Sequence, residues 1–292
     1  MRLRHRCSTL AERHRAVPAK KAADGLSAAM IGVGRMGQAL ARNWVQDPQS
    51  AGLTSVALID PTPSDAVIAL GKHPVAVINP DPKPVDVLIM AVKPQVFPDI
   101  KAEAAKWANS KTLVMSVMAG ITIKQLAEAF PGARIARCMP NTPGAIGLGV
   151  TGFCLSDNCK SIDTDRVENL LSPLGLVEGP IREEQIDALT AVSGCGPAYV
   201  FLLTEAMAAA GRKLGLSQDM SDRLARQTVI GAGALMAEDA DTSAADLRRA
   251  VTSPNGVTQV ALDVLMKPGG LPDVMRLACE SAAKRSYDLS QE

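Results

Sequence analysis

Residues 32–37 form a glycine-rich turn of the type that binds the pyrophosphate of a dinucleotide. In a G-x-G-x-x-G turn, the first glycine permits the bend and the second lets phosphates approach the backbone; the third lets the following helix pack on the strand. An apolar segment, Leu26 to Ile31, precedes the turn, and a helical pattern follows it. N–H groups at the helix start would therefore face the phosphates. We predict cofactor contacts from Ile31, Gly32, Val33, Gly34, Arg35, Met36 and Gly37.

An acidic residue that could select the cofactor ends the second apolar segment, Val56 to Asp60. A carboxylate at this position accepts hydrogen bonds from the adenosine ribose hydroxyls and repels a 2′-phosphate. Asp60 therefore favours NAD(H) over NADP(H), although a role as a helix cap or turn former stays open. Asn79, after the third strand, could bond the ribose or the adenine edge, or could equally be a turn residue.

Three further segments are predicted at the carboxyl edge of the sheet, where open α/β sheets bind ligands. Lys93 could attract an acidic substrate or contact the ribose near the nicotinamide, or it could be an exposed loop lysine. Small residues at 119–120 would leave room for a nicotinamide ring. Asn141, between two prolines, offers a donor and an acceptor, although its loop could be a rigid connector without a ligand. We predict cofactor contacts from Ala91, Val92, Lys93, Pro94 and Ala119, and a substrate contact from Asn141.

Residues 252–258 combine hydroxyl groups, a glycine and a helix start between two predicted helices. Free N–H groups at a helix start attract anions. The segment carries no net charge, which suits one carboxylate better than a polyphosphate. An ordinary N-cap is the alternative. The predicted substrate contacts are Ser253, Asn255, Gly256, Val257 and Thr258.

The elements that must position these residues alternate between strand and helix up to about residue 182. Strands that are apolar on both faces and separated by helices predict a parallel sheet covered on both sides. With the glycine turn, this is an α/β, doubly wound (Rossmann-type) dinucleotide-binding domain over 26–182. The expected strands are Leu26–Ile31, Val56–Asp60, Val75–Ile78, Asp86–Val92, Thr112–Met118 and Arg134–Cys138, which Val150–Cys154 and Gly175–Val177 could extend.

Residues 183–292 are predicted to form an all-α substrate and dimerisation domain. A short helix from Ile186 to Val192 should be broken by Gly194 and Gly196. The next helix, Pro197 to Lys213, is apolar almost all round and should be buried on every side. Two subunits that pair would bury it best, so we hypothesise a homodimer or a higher oligomer of dimers. Further helices are expected at Gln218–Ala237, Ala244–Val251, Gly256–Met266 and Pro272–Leu289, with Ser217 and Ser243 as N-caps and Gly215 as a stop.

Composition argues against several other functions. The net charge is +1, which gives no reason to expect nucleic acid or a membrane surface as partner. No apolar run approaches the ~18 residues of a spanning helix. The six cysteines form no C-x-x-C pair, so no metal site is expected. We expect reduced thiols in a cytoplasmic protein. All three histidines, His5, His14 and His73, lie in the N-terminal half of the sequence. Acid–base chemistry by histidine is therefore excluded in the C-terminal half.

Residues 1–25 differ from the rest of the chain because they are rich in arginine and poor in acids. An organelle transit peptide has this pattern. A disordered extension or an upstream start codon is the interpretation that we favour.

Taken in order, these motifs resemble pyrroline-5-carboxylate reductase, the last enzyme of proline synthesis. The resemblance runs from about residue 28 to the end. The matching stretches are Ile31–Gly37, Ala91–Pro94, Ser116–Gly120, Met139–Pro143, Ser193–Phe201 and Thr252–Thr258.

The resemblance implies hydride transfer from NADH or NADPH to the C=N bond of 1-pyrroline-5-carboxylate, which gives L-proline. It places Thr258 on the ring nitrogen, the substrate carboxylate on N–H groups around Gly256, and Lys93 near the cofactor ribose. Five positions depart from the family pattern. Arg35 stands where Asn is common, Cys195 replaces a Ser, Asn255 and Val257 replace a Gly and a small or hydroxylated residue, and many relatives that use NADPH have Ser or Thr near position 60.

Three alternatives stay open at this stage. One is a reductase that acts on a different cyclic imine. A β-hydroxyacid dehydrogenase would need a lysine early in the helical domain, and the sequence has none between Ile186 and Arg212. A non-enzymatic nucleotide sensor would keep Gly32–Gly37 but would not need Ser253–Thr258.

Overall fold

A computed structural model describes residues 25–291 of the chain. The predicted basic extension therefore lies, except for its last residue, outside the described residues. Two compact units are present, which within the described range are residues 25–194 with 283–291, and residues 195–282.

The first unit contains an eight-stranded sheet with the order β3-β2-β1-β4-β5-β6-β7-β8. Neighbouring strands from β3 to β6 are all parallel, so the predicted doubly wound architecture is confirmed. The strands are β1 (Leu26–Ile31), β2 (Leu53–Ile59), β3 (Ala76–Ile78), β4 (Val87–Met90), β5 (Leu113–Ser116), β6 (Arg134–Pro140), β7 (Gly149–Leu155) and β8 (Gly175–Glu178). The main helices between them are α1 (Arg35–Gln46), α2 (Asp65–Leu70), α3 (Phe97–Ala105), α4 (Ile123–Ala129) and α5 (Ser161–Leu171).

The two strands that follow β6 do not continue the parallel pattern. Strand β7 is antiparallel to β6, and β8 is parallel to β7. Residues 141–148, which include the short 3₁₀ helix Thr142–Ile146, make the connection from β6 to β7. This connection is too short for the crossover that a parallel neighbour requires. The sheet therefore ends in a hairpin-like extension.

Apolar cores on both faces of the sheet hold the unit together. On one face Trp44 of α1 is fully buried, and its indole N–H donates to the Leu170 carbonyl oxygen of α5 at 2.9 Å. On the other face Trp107 and Phe130 pack with Val114 of β5. Every residue of β4 is buried. Two covered faces explain why the central strands read as continuous apolar runs.

The helical region consists of α6 (Ile186–Leu189), α7 (Gly196–Lys213), α8 (Gln218–Glu238), α9 (Ala244–Ala250), α10 (Val257–Met266) and α11 (Leu271–Gln291). The hydroxyls of Ser217 and Ser243 accept from N–H groups of the first turn, as predicted for N-caps. Gly215 has φ +96°, which fits its predicted role after a helix end.

The predicted break at Gly194 and Gly196 is wrong. A π-helical turn at Thr190–Gly194 connects α6 to α7, so the chain stays helical over Glu183–Lys213. A π turn accommodates an additional residue without ending the helix. By length and composition alone, this 31-residue stretch could cross a membrane, although the core helix of a soluble protein passes the same test. The sequence predicted two separate helices here, so a continuous stretch of this length was not expected.

Helix α7 is not buried on every side within the single chain. Phe201 is 67% exposed and Leu202 is 64% exposed, and Val200 and Leu203 are also exposed. Contiguous apolar surface of this kind marks an interaction site. An exposed apolar face on α7 is what the homodimer hypothesis expects of a subunit interface.

We predict that Phe201→Glu weakens the association of subunits. A buried charge without a partner disfavours an apolar interface, and burial of one Phe side chain stabilises by about 1.5–3 kcal/mol. Sedimentation over a range of protein concentrations should show a dissociation constant raised at least about tenfold. Gln49→Glu adds the same charge on an exposed turn of the other unit and should leave association unchanged. Equal association in both variants would exclude Phe201 from the interface.

Candidate active site

The glycine turn lies where β1 ends beside the end of β4. Gly32 has φ +89°, in the left-handed region, and a Cβ there would lie 2.7 Å from the Val92 side chain. The same Cβ would lie 2.8 Å from the carbonyl carbon of Ala91. Any side chain at position 32 would therefore push apart the two strand ends that form the site.

The start of α1 faces open space. Gly34 is its N-cap, and the first helical hydrogen bond runs from the Gln38 N–H to the Gly34 carbonyl oxygen at 2.8 Å. A Cβ on Gly34 would meet no described atom within 4 Å beyond its chain neighbours. A Cβ on Gly37, in contrast, would lie 2.5 Å from the Gly32 carbonyl oxygen. These positions agree with the roles predicted for the second and third glycines, because Gly34 borders free space and Gly37 lets the helix pack on the turn.

Asp60 lies one residue beyond β2 and reaches back to the glycine turn. Its Oδ2 accepts from the Val33 N–H at 3.1 Å, and its Oδ1 accepts from the Thr62 N–H at 2.9 Å. The carboxylate is therefore at the mouth of the turn, where the adenosine ribose of a dinucleotide would lie.

Asn79 is paired with the backbone of Asp60. The Asp60 N–H donates to Asn79 Oδ1 at 2.9 Å, and Asn79 Nδ2 donates to the Asp60 carbonyl oxygen at 2.8 Å. Asn79 has φ +46°. The residue is thus both a turn residue and a neighbour of the predicted ribose site.

The other predicted cofactor segments lie at the carboxyl ends of β4 and β5. The Ala91 N–H donates to the Ile31 carbonyl oxygen at 2.8 Å, which holds the segment against β1. Lys93 is exposed and precedes the short helix that begins at Pro94. Ala119 is exposed and follows β5. Residues 91–94 and Ala119 therefore lie at the carboxyl edge of the sheet, as predicted. Their contacts with a cofactor stay a prediction.

Asn141 has its hydrogen-bonding groups engaged within its own unit. Its Nδ2 donates to the Ser193 carbonyl oxygen at 3.2 Å and to Ser193 Oγ at 3.3 Å. Its Oδ1 accepts from the Val150 N–H at 2.9 Å. These bonds connect the start of β7 to the π-helical turn. They show a structural role, and the predicted substrate contact stays a prediction.

The predicted substrate segment is a tight turn that starts α10. The Gly256 N–H donates to the Ser253 carbonyl oxygen at 3.0 Å, and a Cβ on Gly256 would lie 2.3 Å from Ser253 Oγ. The first helical hydrogen bond runs from the Val260 N–H to the Gly256 carbonyl oxygen at 3.3 Å. The N–H groups of residues 257–259 therefore have no acceptor within the helix. Val257 is 91% exposed, so this helix start is open in the single chain.

Comparison with known proteins decides the family. Residues 183–289 match the family described as pyrroline-5-carboxylate reductase dimerisation, and residues 27–120 match the family described as NADP oxidoreductase coenzyme F420-dependent. A pyrroline-5-carboxylate reductase from Pseudomonas aeruginosa is 35% identical over 269 residues, which cover 90% of this chain and 97% of the relative. This chain belongs to the pyrroline-5-carboxylate reductase family.

Solved structures of the family agree with this assignment. A pyrroline-5-carboxylate reductase from Coxiella burnetii has a TM-score of 0.81 and 30% identity, with 91% of this chain and 99% of the other covered. The Plasmodium falciparum pyrroline carboxylate reductase, solved with NADP bound, has a TM-score of 0.72 and 28% identity over 91% of this chain and 99% of the other.

The backbone conformation at Asn255 explains one departure from the family pattern. Asn255, where the pattern has Gly, has φ +58°. Glycine adopts this left-handed conformation freely, and asparagine adopts it more readily than other residues with a side chain. Asn255 therefore preserves the turn before α10.

A second departure places a thiol in the motif that begins α7. The Tyr199 hydroxyl is hydrogen-bonded to the thiols of Cys195 and Cys279. Desolvation, together with these two thiols, raises the pKa of Tyr199 above its usual value. The raised pKa favours the protonated phenol, which takes part in this cluster as a hydrogen-bonding group.

Sequence reasoning missed Gln38, although this residue directly follows the last glycine of the turn. Its Nε2 donates to the Val33 carbonyl oxygen and to Ser64 Oγ, both at 3.1 Å. Gln38 thus ties the glycine turn to the loop after β2. Its polar side chain at a predicted helix start was the available signal. Among residues 25–291, no group of three or more His, Cys, Asp or Glu side chains could hold a metal ion.

We predict that Asn255→Gly and Asn255→Ala have different effects. Gly keeps the left-handed turn, so kcat/KM should stay within about twofold of the unmodified enzyme. Ala strains the turn by roughly 1 kcal/mol, so KM for the substrate should rise about fivefold. Steady-state kinetics with varied substrate would show both effects. Equal behaviour of the two variants would mean that the backbone conformation at position 255 does not matter for binding.

Proposed function

We propose that this member of the family reduces the C=N bond of 1-pyrroline-5-carboxylate with NADH or NADPH and so forms L-proline. The observation that carries the proposal is the occurrence of two open helix starts in one chain of this family. The start of α1 has an acid at its mouth, and the start of α10 carries hydroxyl groups. Two such sites suit a dinucleotide and a small carboxylic acid.

The first site would hold the cofactor through the backbone. When bound, the reduced nicotinamide supplies the hydride. The N–H groups of 35–37 have no acceptor within α1 and would bind the pyrophosphate. We further propose that Ile31, Gly32, Val33 and Gly34 line the phosphates, and that Ala91, Val92, Lys93, Pro94 and Ala119 surround the nicotinamide end.

The second site would hold the substrate carboxylate. The N–H groups at the start of α10, around Asn255, Gly256 and Val257, would donate hydrogen bonds to it, with the Ser253 hydroxyl in support. The Thr258 hydroxyl would hydrogen-bond the ring nitrogen and assist its protonation.

The chemistry needs orientation more than a strong acid. A protonated cyclic imine is already electrophilic, so the protein must chiefly hold the imine carbon about 3–3.5 Å from the nicotinamide C4. This requirement agrees with the absence of histidine from the C-terminal half of the sequence. The exposed Lys93 would attract the acidic substrate and shape the field near the ribose.

Asp60 supports a preference for NADH. Its carboxylate already lies against the glycine turn, and there it would accept hydrogen bonds from the two ribose hydroxyls and repel a 2′-phosphate. The Plasmodium relative was solved with NADP, so the preference is a property that we propose for this chain alone.

We propose that the working form is a homodimer, or a higher oligomer of dimers, in the cytoplasm. The dimerisation family match at 183–289 and the exposed apolar face of α7 support it. We propose 26–182 and 183–292 as the domains, with neither metal nor nucleic acid as partner; the net charge of +1 is in keeping with this.

A direct assay tests the function. Purified protein is mixed with 1-pyrroline-5-carboxylate and either NADH or NADPH, while nicotinamide absorbance and L-proline are followed. The proposal expects loss of reduced cofactor with an equal amount of L-proline. Turnover with another cyclic imine but not with this one would assign the chain a different substrate.

We predict that Thr258→Ala lowers kcat/KM for the imine at least about tenfold, which is about 1.4 kcal/mol of transition-state stabilisation. The reason is the loss of the hydrogen bond to the ring nitrogen. Thr242→Ala, just before α9, is the matched control and should leave kinetics unchanged. Equal kinetics of the Thr258 variant and the unmodified enzyme would remove Thr258 from the site.

We predict that Asp60→Ser lowers the ratio of kcat/KM for NADH to that for NADPH by about tenfold or more. Loss of the carboxylate removes charge-assisted hydrogen bonds to the ribose and the repulsion of a 2′-phosphate. Asp65→Ser in α2 removes the same charge nearby and should keep the ratio. A ratio that survives Asp60→Ser would show that Asp60 does not select the cofactor.

A further inference from the structure

We propose that Asn79 is a positioning residue that sets the cofactor preference through Asp60. This inference rests on the proposed use of NAD(H) or NADP(H) by this chain. It adds a role for Asn79, which the sequence offered as a contact of the ribose or the adenine edge, or equally as a turn residue.

The amide of Asn79 extends the sheet by one residue. Backbone pairing between β2 and β3 ends at Leu58 and Ile78, and the Asn79 N–H donates to the Leu58 carbonyl oxygen at 2.9 Å. The chain then turns away at φ +46° into Pro80. At that point the Asn79 side chain takes the place of a strand: Oδ1 accepts from the Asp60 N–H at 2.9 Å and Nδ2 donates to the Asp60 carbonyl oxygen at 2.8 Å.

This pairing occupies one face of the Asn79 amide and holds the backbone from which the selecting carboxylate projects. The carboxylate then meets the Val33 N–H at 3.1 Å and the Thr62 N–H at 2.9 Å. Those contacts need the backbone of Asp60 at a defined distance from the glycine turn. The neighbouring strand β3 cannot supply this restraint, because it has already ended at Ile78.

Asparagine meets both requirements of the position. A left-handed φ excludes most side chains, with glycine and asparagine the best tolerated. Glycine would keep the turn but would lack the amide. Asn79→Gly therefore removes the pairing without straining the backbone, which separates the two roles of the residue.

The expected result is a selective change in cofactor preference. Without the pairing, the Asp60 carboxylate can move away from the adenosine ribose. Its hydrogen bonds to the ribose hydroxyls of NADH are then lost, and so is its repulsion of the 2′-phosphate of NADPH. Asn79→Gly should raise the Kd for NADH about tenfold, which is about the net contribution of one or two hydrogen bonds, and leave the Kd for NADPH unchanged or lower. Loss of a side chain that contacted the shared part of both cofactors would instead raise the Kd for NADH and the Kd for NADPH alike.

The experiment measures Kd for NADH and NADPH by calorimetry on the purified protein and on Asn79→Gly, Asp60→Ser and the double variant. Asn109→Gly is the matched control, because Asn109 Oδ1 accepts from the Lys111 N–H in a turn elsewhere in the unit. The proposal expects Asn79→Gly to lower the NADPH-to-NADH ratio of Kd values about tenfold, no change in that ratio when Asn79→Gly is added to Asp60→Ser, and no effect of Asn109→Gly.

Two outcomes would overturn the proposal. An equal rise in the Kd for NADH and the Kd for NADPH in Asn79→Gly would make Asn79 a direct contact or a purely structural residue. Additive effects of Asn79→Gly and Asp60→Ser on the ratio would show that the two residues act independently. Because binding is measured without substrate, failure of the proposed reduction would appear separately, as unmodified protein that binds cofactor but does not consume the imine.

Discussion

The hydrogen bond from the Val33 N–H to the Asp60 carboxylate joins the glycine turn to the end of β2. Each partner depends on a different strand. Val33 is held by β1 through the tight turn at Gly32, and Asp60 is held by β2 and by the amide of Asn79. The parallel pairing of β1 with β2 brings both carboxyl ends to one edge of the sheet. The proposed cofactor site therefore depends on strand register more than on any single side chain.

Close packing around this contact leaves little freedom for the residue types. Gly32 faces the end of β4, and Gly37 faces the carbonyl oxygen of Gly32. A Cβ at either position would separate α1 or β4 from the turn. Gln38 adds a polar tie from α1 to the loop after β2. Backbone proximity, rather than a strong local charge, is thus what this unit offers to a bound dinucleotide.

The parallel order of the strands up to β6, and the positions of the glycine turn and Asp60, could be predicted because they depend on local patterns. Hydrogen-bonding partners distant in sequence could not. The hydrogen bonds of the Asn141 amide with Ser193 and Val150 are one example, and the predicted contact of Asn141 with substrate stays a prediction. The antiparallel direction of β7 follows from the short connection between β6 and β7. That connection is recognised as short only once β6 is known to run to Pro140. The apolar composition of α7 was recognised from the sequence, but the exposure of its apolar face could be seen only in the structure.

Transfer of a label from cofactor to product is the measurement that tests the central claim most directly. The protein is incubated with 1-pyrroline-5-carboxylate and NADH deuterated on each face of C4 in turn, and L-proline is analysed by mass spectrometry. If hydride passes directly from the cofactor, we expect that one of the two labelled cofactors, and not the other, places a deuterium on the ring carbon of the former C=N bond. L-Proline without label from both cofactors, or no L-proline at all, would contradict direct hydride transfer by this protein.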